Sequence, residues 1–270
     1  MKAMLSPTCS EWRRVAAIMK HRLATGIVSA ASVLSLVCSA AAQDACKLSP
    51  IGTASVAAVR DGRTVLLGDG RELRLAAIET GEASRAALQA LVSGRRLRLE
   101  RLAADHDRYG RLVAFAFAGD AQESVQQTML EQGYARVAAR VGDKACADRL
   151  LAAERTARTA KRGLWADPNF APLSAENLPR LQAERGQFVL VEGKVLSVRE
   201  SGATIYVNFG RHWTRDFTVT ILRRARGAFI AAGIEPKKLE GRNIRVRGWV
   251  EQRGGPIIAA EAPEQIELLD

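Results

Sequence analysis

The sequence predicts a mainly β fold with helices (α+β), organised as two small β-barrels, and three features carry that prediction. Runs of alternating apolar and polar residues, punctuated by Asp-Gly turns, fill much of 53–117 and return over 188–268. Helical spacing interrupts them in only a few places, and glycine closes the clearest cases. A proline-bearing stretch with little periodicity, 166–187, separates the two β-rich parts.

In chain order, 53–60 is short and β-capable, Asp61-Gly62 is a turn, and 64–67 and 73–78 alternate as strands around a second turn at Asp69-Gly70. The spacing then becomes helical over 82–92, with Ala86, Leu88, Leu91 and Val92 apolar and Gly94 as terminator. Strands resume at 97–100 and 112–117 across Asp107-Arg108-Tyr109-Gly110. Helices follow at 124–132 and 146–161, the second ending at Gly163. Strands, helix, strands, helices is the order of a small closed barrel with helices packed on it. Beyond the linker, strands at 188–198, 204–209 and 217–221, a helical piece at 225–232, and strands at 243–250, 256–259 and 265–268 follow the element order of an OB barrel. The expected organisation is a leader over 1–42, a first domain over 43–165, the linker 166–187 and an OB-like domain over 188–270.

The leader is read from a basic Met19-Lys20-His21-Arg22 followed by an uncharged stretch, 23–42, rich in Ala, Ser and Val and ending Ser39-Ala40-Ala41-Ala42-Gln43. That is the tripartite form of a secretory signal peptide, with Met19 as start and 1–18 as an upstream extension. Small and hydroxyl residues favour cleavage over a membrane anchor, so the expected location is secreted or periplasmic, without stable membrane insertion. Cys9 and Cys38 leave with the leader. Cys46 and Cys146 remain, an even pair in an oxidising compartment, and are expected to form one disulfide.

The 270 residues carry 40 Lys+Arg against 29 Asp+Glu, for +11. Removal of 1–42 takes five basic residues and one acidic residue, leaving +7. Arginine outnumbers lysine 32 to 8, a bias that a GC-rich coding sequence also produces, so charge admits nucleic acid, anionic lipid or acidic glycan without choosing among them. Three histidines leave little room for a histidine-rich metal centre.

Chemistry concentrates in Arg74-Leu75-Ala76-Ala77-Ile78-Glu79-Thr80-Gly81-Glu82, a strand that ends with two carboxylates at its mouth. Asp107-Arg108-Tyr109-Gly110-Arg111 adds an arginine at a turn. Two arginines and two carboxylates suit work on phosphodiesters, the arginines gripping phosphate and a carboxylate holding metal or activating water. Spacing alone equally describes a surface strand with an ordinary charge pair.

These residues resemble the thermonuclease (staphylococcal-nuclease-like) family. The resemblance rests on Asp61-Gly62-x-Thr64, Arg74-Leu75 leading to Thr80-x-Glu82, Asp107-Arg108-Tyr109-Gly110-Arg111-Leu112, Glu131-Gln132-Gly133-Tyr134-Ala135, the helix around Glu154 and Ala157-Arg158, and Lys161-Arg162-Gly163-Leu164-Trp165. It implies an OB-type five-stranded barrel and, in active members, calcium-dependent hydrolysis of DNA and RNA. Carried across, Arg74 and Arg111 are the phosphate-binding arginines, Glu82 orients or deprotonates the attacking water, and Tyr109 lies beside the bound nucleotide. The metal site departs from the pattern. Arg63 stands where the family's principal calcium aspartate falls, Glu79 replaces its second aspartate, and Gly81 replaces a proline. Two nucleotide-stacking tyrosines fall at Ala139 and Val141.

Calcium takes six to eight oxygen ligands, and an arginine offers none. At about 4 Å and an effective dielectric near 20, two unit charges interact by roughly 4 kcal/mol, twice that for a divalent ion. Calcium is therefore disfavoured, whereas Arg63, Arg74 and Arg111 together suit an anion. In the second module Tyr206, Phe209 and Trp213 lie near Arg211 and Arg215, which adds candidate nucleic-acid contacts. Against them, Tyr206 or Phe209 can fill the barrel, and Trp249 is expected in the core. The expected function is binding DNA, RNA or another phosphate-rich polyanion, with hydrolysis lost or reduced. The alternatives are an active secreted nuclease using Glu82, Arg74 and Arg111, and a periplasmic module for protein or glycan contact.

Overall fold

Alternating residues build the first barrel from β1 (Ser49–Val59), β2 (Thr64–Leu67), β3 (Glu72–Leu75), β5 (Arg96–Arg101) and β6 (Leu112–Ala118), with a two-residue β4 (Ile78–Glu79) outside it. The barrel closes in the order β1-β2-β3-β6-β5, with β3 parallel to β6 and the other pairs antiparallel. Val65, Leu67, Leu73, Leu75, Leu97, Leu99 and Ala116 point into its core, because every second side chain of a strand faces inward. The computed structural model describes residues 46–102 and 106–269, all within a unit spanning Gln43–Asp270. The leader expected over 1–42 lies outside the described residues. Among those described, no helix is long and apolar enough to cross a membrane.

Three helices cover the barrel. α1 (Ser84–Val92) buries Leu88 and Val92, and starts two residues later than its spacing predicts. α2 (Val125–Glu131) is capped by Ser124, whose Oγ accepts from Gln127 N at 3.1 Å. A second two-residue strand, β7 (Arg136–Val137), pairs with β4. α3 (Lys144–Thr159) begins ahead of the predicted 146 because Asp143 caps it, accepting from Cys146 N at 2.9 Å. The disulfide joins Cys46, just before β1, to Cys146 in the first turn of α3.

The stretch read as a linker is ordered. It contains β8 (Leu173–Ser174), parallel to the strand that follows the linker, and α4 (Leu178–Ala183), whose Leu181 is fully buried. The second module comprises β9 (Phe188–Lys194), β10 (Ser197–Ser201), β11 (Thr204–Asn208), β12 (Thr218–Leu222), α5 (Arg226–Ala231), β13 (Asn243–Trp249), β14 (Glu251–Arg253), β15 (Gly255–Ala260) and β16 (Ile266–Leu268). Two sheets, β10-β11-β12-β15-β14 and β16-β13-β9-β8, enclose one core. β12 runs parallel to β15 as β3 does to β6, and α5 falls between third and fourth long strands as α1 does. Both modules therefore trace the OB path. The ladder lapses between β13 and β15, where the buried Gln265 side chain donates to Arg247 O at 3.1 Å and Ala259 O at 3.0 Å.

One buried ionic network crosses between the modules. Arg247, fully buried on β13, donates to both carboxylate oxygens of Glu154 on α3 at 2.8 and 3.0 Å, and to Val137 O at 3.1 Å. Its Nη2 also reaches Glu267 at 2.5 Å. Burial pushes the Glu154 carboxyl up, but Arg247, the Val137 N–H and Arg158 outweigh it and hold the group below its ordinary value.

Candidate functional site

The site is assembled by a break in a strand. Residues 73–78 alternate in sequence, yet the strand stops at Leu75 and Ala77 adopts a left-handed φ of 62°. That turn frees Ile78-Glu79 from β3 and sends the pair to β7, with Ala138 N donating to Ala77 O at 2.9 Å. The face shared by Arg74, Ala76 and Ile78 in an unbroken strand is therefore lost. Arg74 and Glu79 instead converge, with Nη2 4.0 Å from Oε1.

Gly62 brings Arg63 to the same place. A Cβ at Gly62 would lie 2.7 Å from Thr80 Oγ1 and 2.8 Å from both Gly81 O and Ser84 Cβ, so only glycine lets this turn pack on the 80–84 segment. Asp61 Oδ1 accepts from Arg63 N at 2.8 Å and fixes the turn. The Arg63 guanidinium then donates to Glu79 Oε2, and to Ile78 O at 3.3 Å. Arg63 does not swing into solvent; its side chain is 19% exposed and that of Glu79 16%.

Arg111 enters just before β6, beside the start of β3. Asp107 aims it, accepting from Arg111 Nε at 2.8 Å and from the amides of Tyr109 and Arg111 at 2.9 and 3.1 Å. Tyr109 is 66% exposed. The guanidinium carbons of Arg108 and Arg111 lie 4.7 and 5.2 Å from its ring centre, and Arg108 Nη2 donates to its hydroxyl at 2.6 Å. Glu82 is exposed at the entrance to α1, and its carboxylate makes no hydrogen bond or ion pair among the described residues.

The electrostatics are those of crowded cations. Burial and the charge of Arg63 push Arg74 below its ordinary value, and Arg111 adds to this while Glu79 and Asp107 oppose it. Burial raises the Glu79 carboxyl, with Arg63 and Arg74 pulling it back. Arg63 and Arg74 thus share Glu79 while Arg111 is paired with Asp107, an excess of cation over carboxylate that a phosphate oxyanion would relieve. Thr64, opposite Arg74 in the β2–β3 ladder, buries a hydroxyl with no partner.

The residues do not fit calcium. Glu79 is committed to Arg63, and among the described residues it belongs to no group of three metal-type side chains. Among the described residues the one triad of metal-type side chains is Cys46, Asp143 and Cys146, whose sulfurs are joined to each other.

Residues 67–167 match the family model described as staphylococcal nuclease homologue. Over those residues the chain is thermonuclease-like. The match begins at residue 67, so Arg63 lies outside the matched residues. No curated protein matches the chain.

The thermonuclease-like barrel brings Arg63, Arg74, Glu79 and Arg111 together and leaves Glu82 at the rim. Arg211 and Arg215 lie elsewhere, exposed in the loop between β11 and β12. Trp249 is not core. It is 47% exposed, edge-on to Phe188 with ring centres 5.8 Å apart. Sequence reasoning missed Asp107 as the residue that orients Arg111, although its spacing four residues earlier was the available signal. It also missed Glu264, whose Oε1 accepts from Val141 N at 2.7 Å and Gly142 N at 3.2 Å. Ala139 packs against the cluster of Ala157, Trp165, Phe188 and Leu190. The two positions where the family resemblance places stacking tyrosines, Ala139 and Val141, are thus both in contact with the second module.

Proposed function

We propose that this is an exported protein that binds nucleic acid or another phosphate-rich polyanion through Arg63, Arg74 and Arg111, without calcium-dependent phosphodiester hydrolysis. The observation that carries the reading is the Arg63 guanidinium lodged against Glu79, in the place where the family resemblance puts the metal. A fixed cation there contributes charge to phosphate binding and supplies no metal-bound water. Tyr109, with two arginines against its ring, is the nearest surface for a base, and Arg211 and Arg215 add contacts from the second module.

A second reading is favoured by Glu82, whose exposed carboxylate is free to act as a base. In it the protein is a metal-independent phosphodiesterase, with Arg63, Arg74 and Arg111 stabilising charge on the transferred phosphoryl group. One assay separates the two. The purified protein is incubated with single-stranded DNA, duplex DNA and RNA while calcium is titrated from none upward, beside Glu82→Gln. Salt-sensitive binding with no cleavage at any calcium level supports the first reading. Calcium-independent cleavage abolished by Glu82→Gln supports the second. Calcium-dependent cleavage by the unaltered protein refutes both, and absence of any salt-dependent affinity leaves protein or glycan contact as the role.

A further inference from the structure

We propose that the second module carries its own surface for single-stranded nucleic acid, made by the outer face of β11–β12 and the loop between them, with Trp213 and Tyr206 as stacking platforms. The proposal rests on the polyanion-binding reading above and adds to it a second site and the kind of strand it takes.

Register places the residues. Ile205, Val207, Val219, Ile221 and Ile258 are buried inside the module, so their strand neighbours face outward. One row across the sheet reads Arg199, Tyr206, Thr220, Ala259 by direct pairing. Tyr206 is thus a half-exposed aromatic beside an arginine, with no hydrogen-bond partner for its hydroxyl among the described residues. The loop at the end of this sheet is built to hold an indole outward. Its base is closed by Phe209 against the fully buried Phe217, ring centres 5.0 Å apart. Asp216 Oδ2 accepts from His212 N at 2.7 Å, while Arg215 N and Asp216 N donate to His212 O at 2.9 and 2.8 Å. The turn after β14 lies against the loop, so closely that a Cβ at Gly254 would sit 2.8 Å from Thr214 O. At the tip Trp213 is 73% exposed, the most exposed large apolar side chain among the described residues.

Charge selects the occupant. Arg199 and Arg211 have no carboxylate partner among the described residues. The exposed side chains of Arg215 and Arg253 make contacts of 3.6 Å to Asp216, 3.2 Å to His212 Nδ1 and 3.0 Å to Glu251, which water weakens and a phosphate can displace. Glu200, the other carboxylate beside the row, is held by Arg226 at 3.3 Å and Arg223 at 3.9 Å. Exposed rings interleaved with arginines match a strand that alternates bases and phosphates. In a duplex the base faces are already stacked on one another, so the rings favour a single strand.

The test is fluorescence anisotropy with a labelled single strand of about 20 nucleotides, long enough to exceed one OB-sized site, and with a labelled dinucleotide as the short probe. Trp213→Ala and Tyr206→Ala should each weaken the long strand by roughly 5- to 100-fold and leave the dinucleotide unchanged. Trp213→Phe should restore most of the loss. Arg211→Ala should lower the salt slope for the long strand by about 0.7. Long-strand affinity unchanged in both aromatic variants overturns the proposal, as does an equal loss on both probes. Arg74→Ala provides the separation from the first site. If it leaves the dinucleotide unaffected while Trp213→Ala weakens the long strand, the reading of the first barrel fails and this one stands.

Discussion

Replacing Arg247 by methionine should loosen the two modules from one another, and the structure sets the size of the effect. The guanidinium makes bonds of 2.8 and 3.0 Å to Glu154, 2.5 Å to Glu267 and 3.1 Å to Val137 O, all out of contact with water. Methionine fills the volume but strands the carboxylates. Breaking one side of a buried pair costs about 3–5 kcal/mol. The lower end applies, because Glu154 keeps Arg158 at 2.7 Å and Val137 N at 2.6 Å, and Glu267 keeps Arg245 at 3.2 Å. For a unit of this size about 3 kcal/mol lowers Tm by roughly 6–12 °C. The pH dependence identifies the cause. In the native protein Glu154 lies below its ordinary 4.5, so its stabilisation is complete above that value and fades as pH falls through the depressed folded value. Without Arg247 burial dominates, the folded value rises, and protonation relieves the variant while it costs the parent. Calorimetry between neutral pH and about pH 5 should therefore show the gap in Tm narrowing as pH falls. A gap that is constant or widening, or a variant as stable as the parent, would refute the argument.

Further outcomes follow from the first barrel. Arg63→Asp places a carboxylate beside Asp61 and Glu79 and removes the guanidinium that occupies Glu79, so titration calorimetry should detect calcium binding that the parent lacks. Phosphodiester affinity should strengthen as pH falls through the raised Glu79 value, because protonation frees Arg63; a flat profile by anisotropy in Glu79→Gln alongside a sloping one in the parent would establish it. The Cys46–Cys146 link spans 100 residues, and its removal by Cys46→Ser should cost about 4–5 kcal/mol by loop entropy, read as a lower denaturant midpoint. Gly62→Ala should reduce anion affinity at little cost in helix content, since the Cβ it adds falls on Thr80, Gly81 and Ser84.

Long strands and helices were legible because their periods are strong and their ends carry turn chemistry. β4 and β7 were not, since two residues carry no period; they exist because Ala77 turns the chain and Ala138 completes the bond. Motif residues likewise located Arg74, Arg111 and the substituted Arg63, but not what Arg63 does. Its contact with Glu79 depends on a glycine fit and a strand break that no local pattern announces. The aromatics of the second module show the same limit. Phe209 and Trp213 look alike in sequence, four residues apart on one loop, and only packing against Phe217 sends the first inward and leaves the second out.

The departures from the family pattern are physically connected. A tyrosine at 139 would have to occupy space held by Trp165, Phe188 and Leu190, and one at 141 would sit on a loop drawn to the second module by Glu264. Docking of the second module therefore excludes base stacking at that rim of the first barrel. The same docking, through Arg136 on β7, reaches the site itself. Arg136 lies opposite Glu79 in the β4–β7 ladder and donates to Phe188 O at 2.8 Å. Glu79 thus sits on a strand pair braced by the second module while its carboxylate is held by Arg63. In the proposed binding role, such a barrel keeps the arginines for phosphate and lacks the carboxylate and rings that the family resemblance assigns to metal and bases. Any base contact must then come from Tyr109 or from aromatics elsewhere; on the second module Tyr206 and Trp213 lie beside arginines, whereas Trp249, also exposed, is edge-on to Phe188.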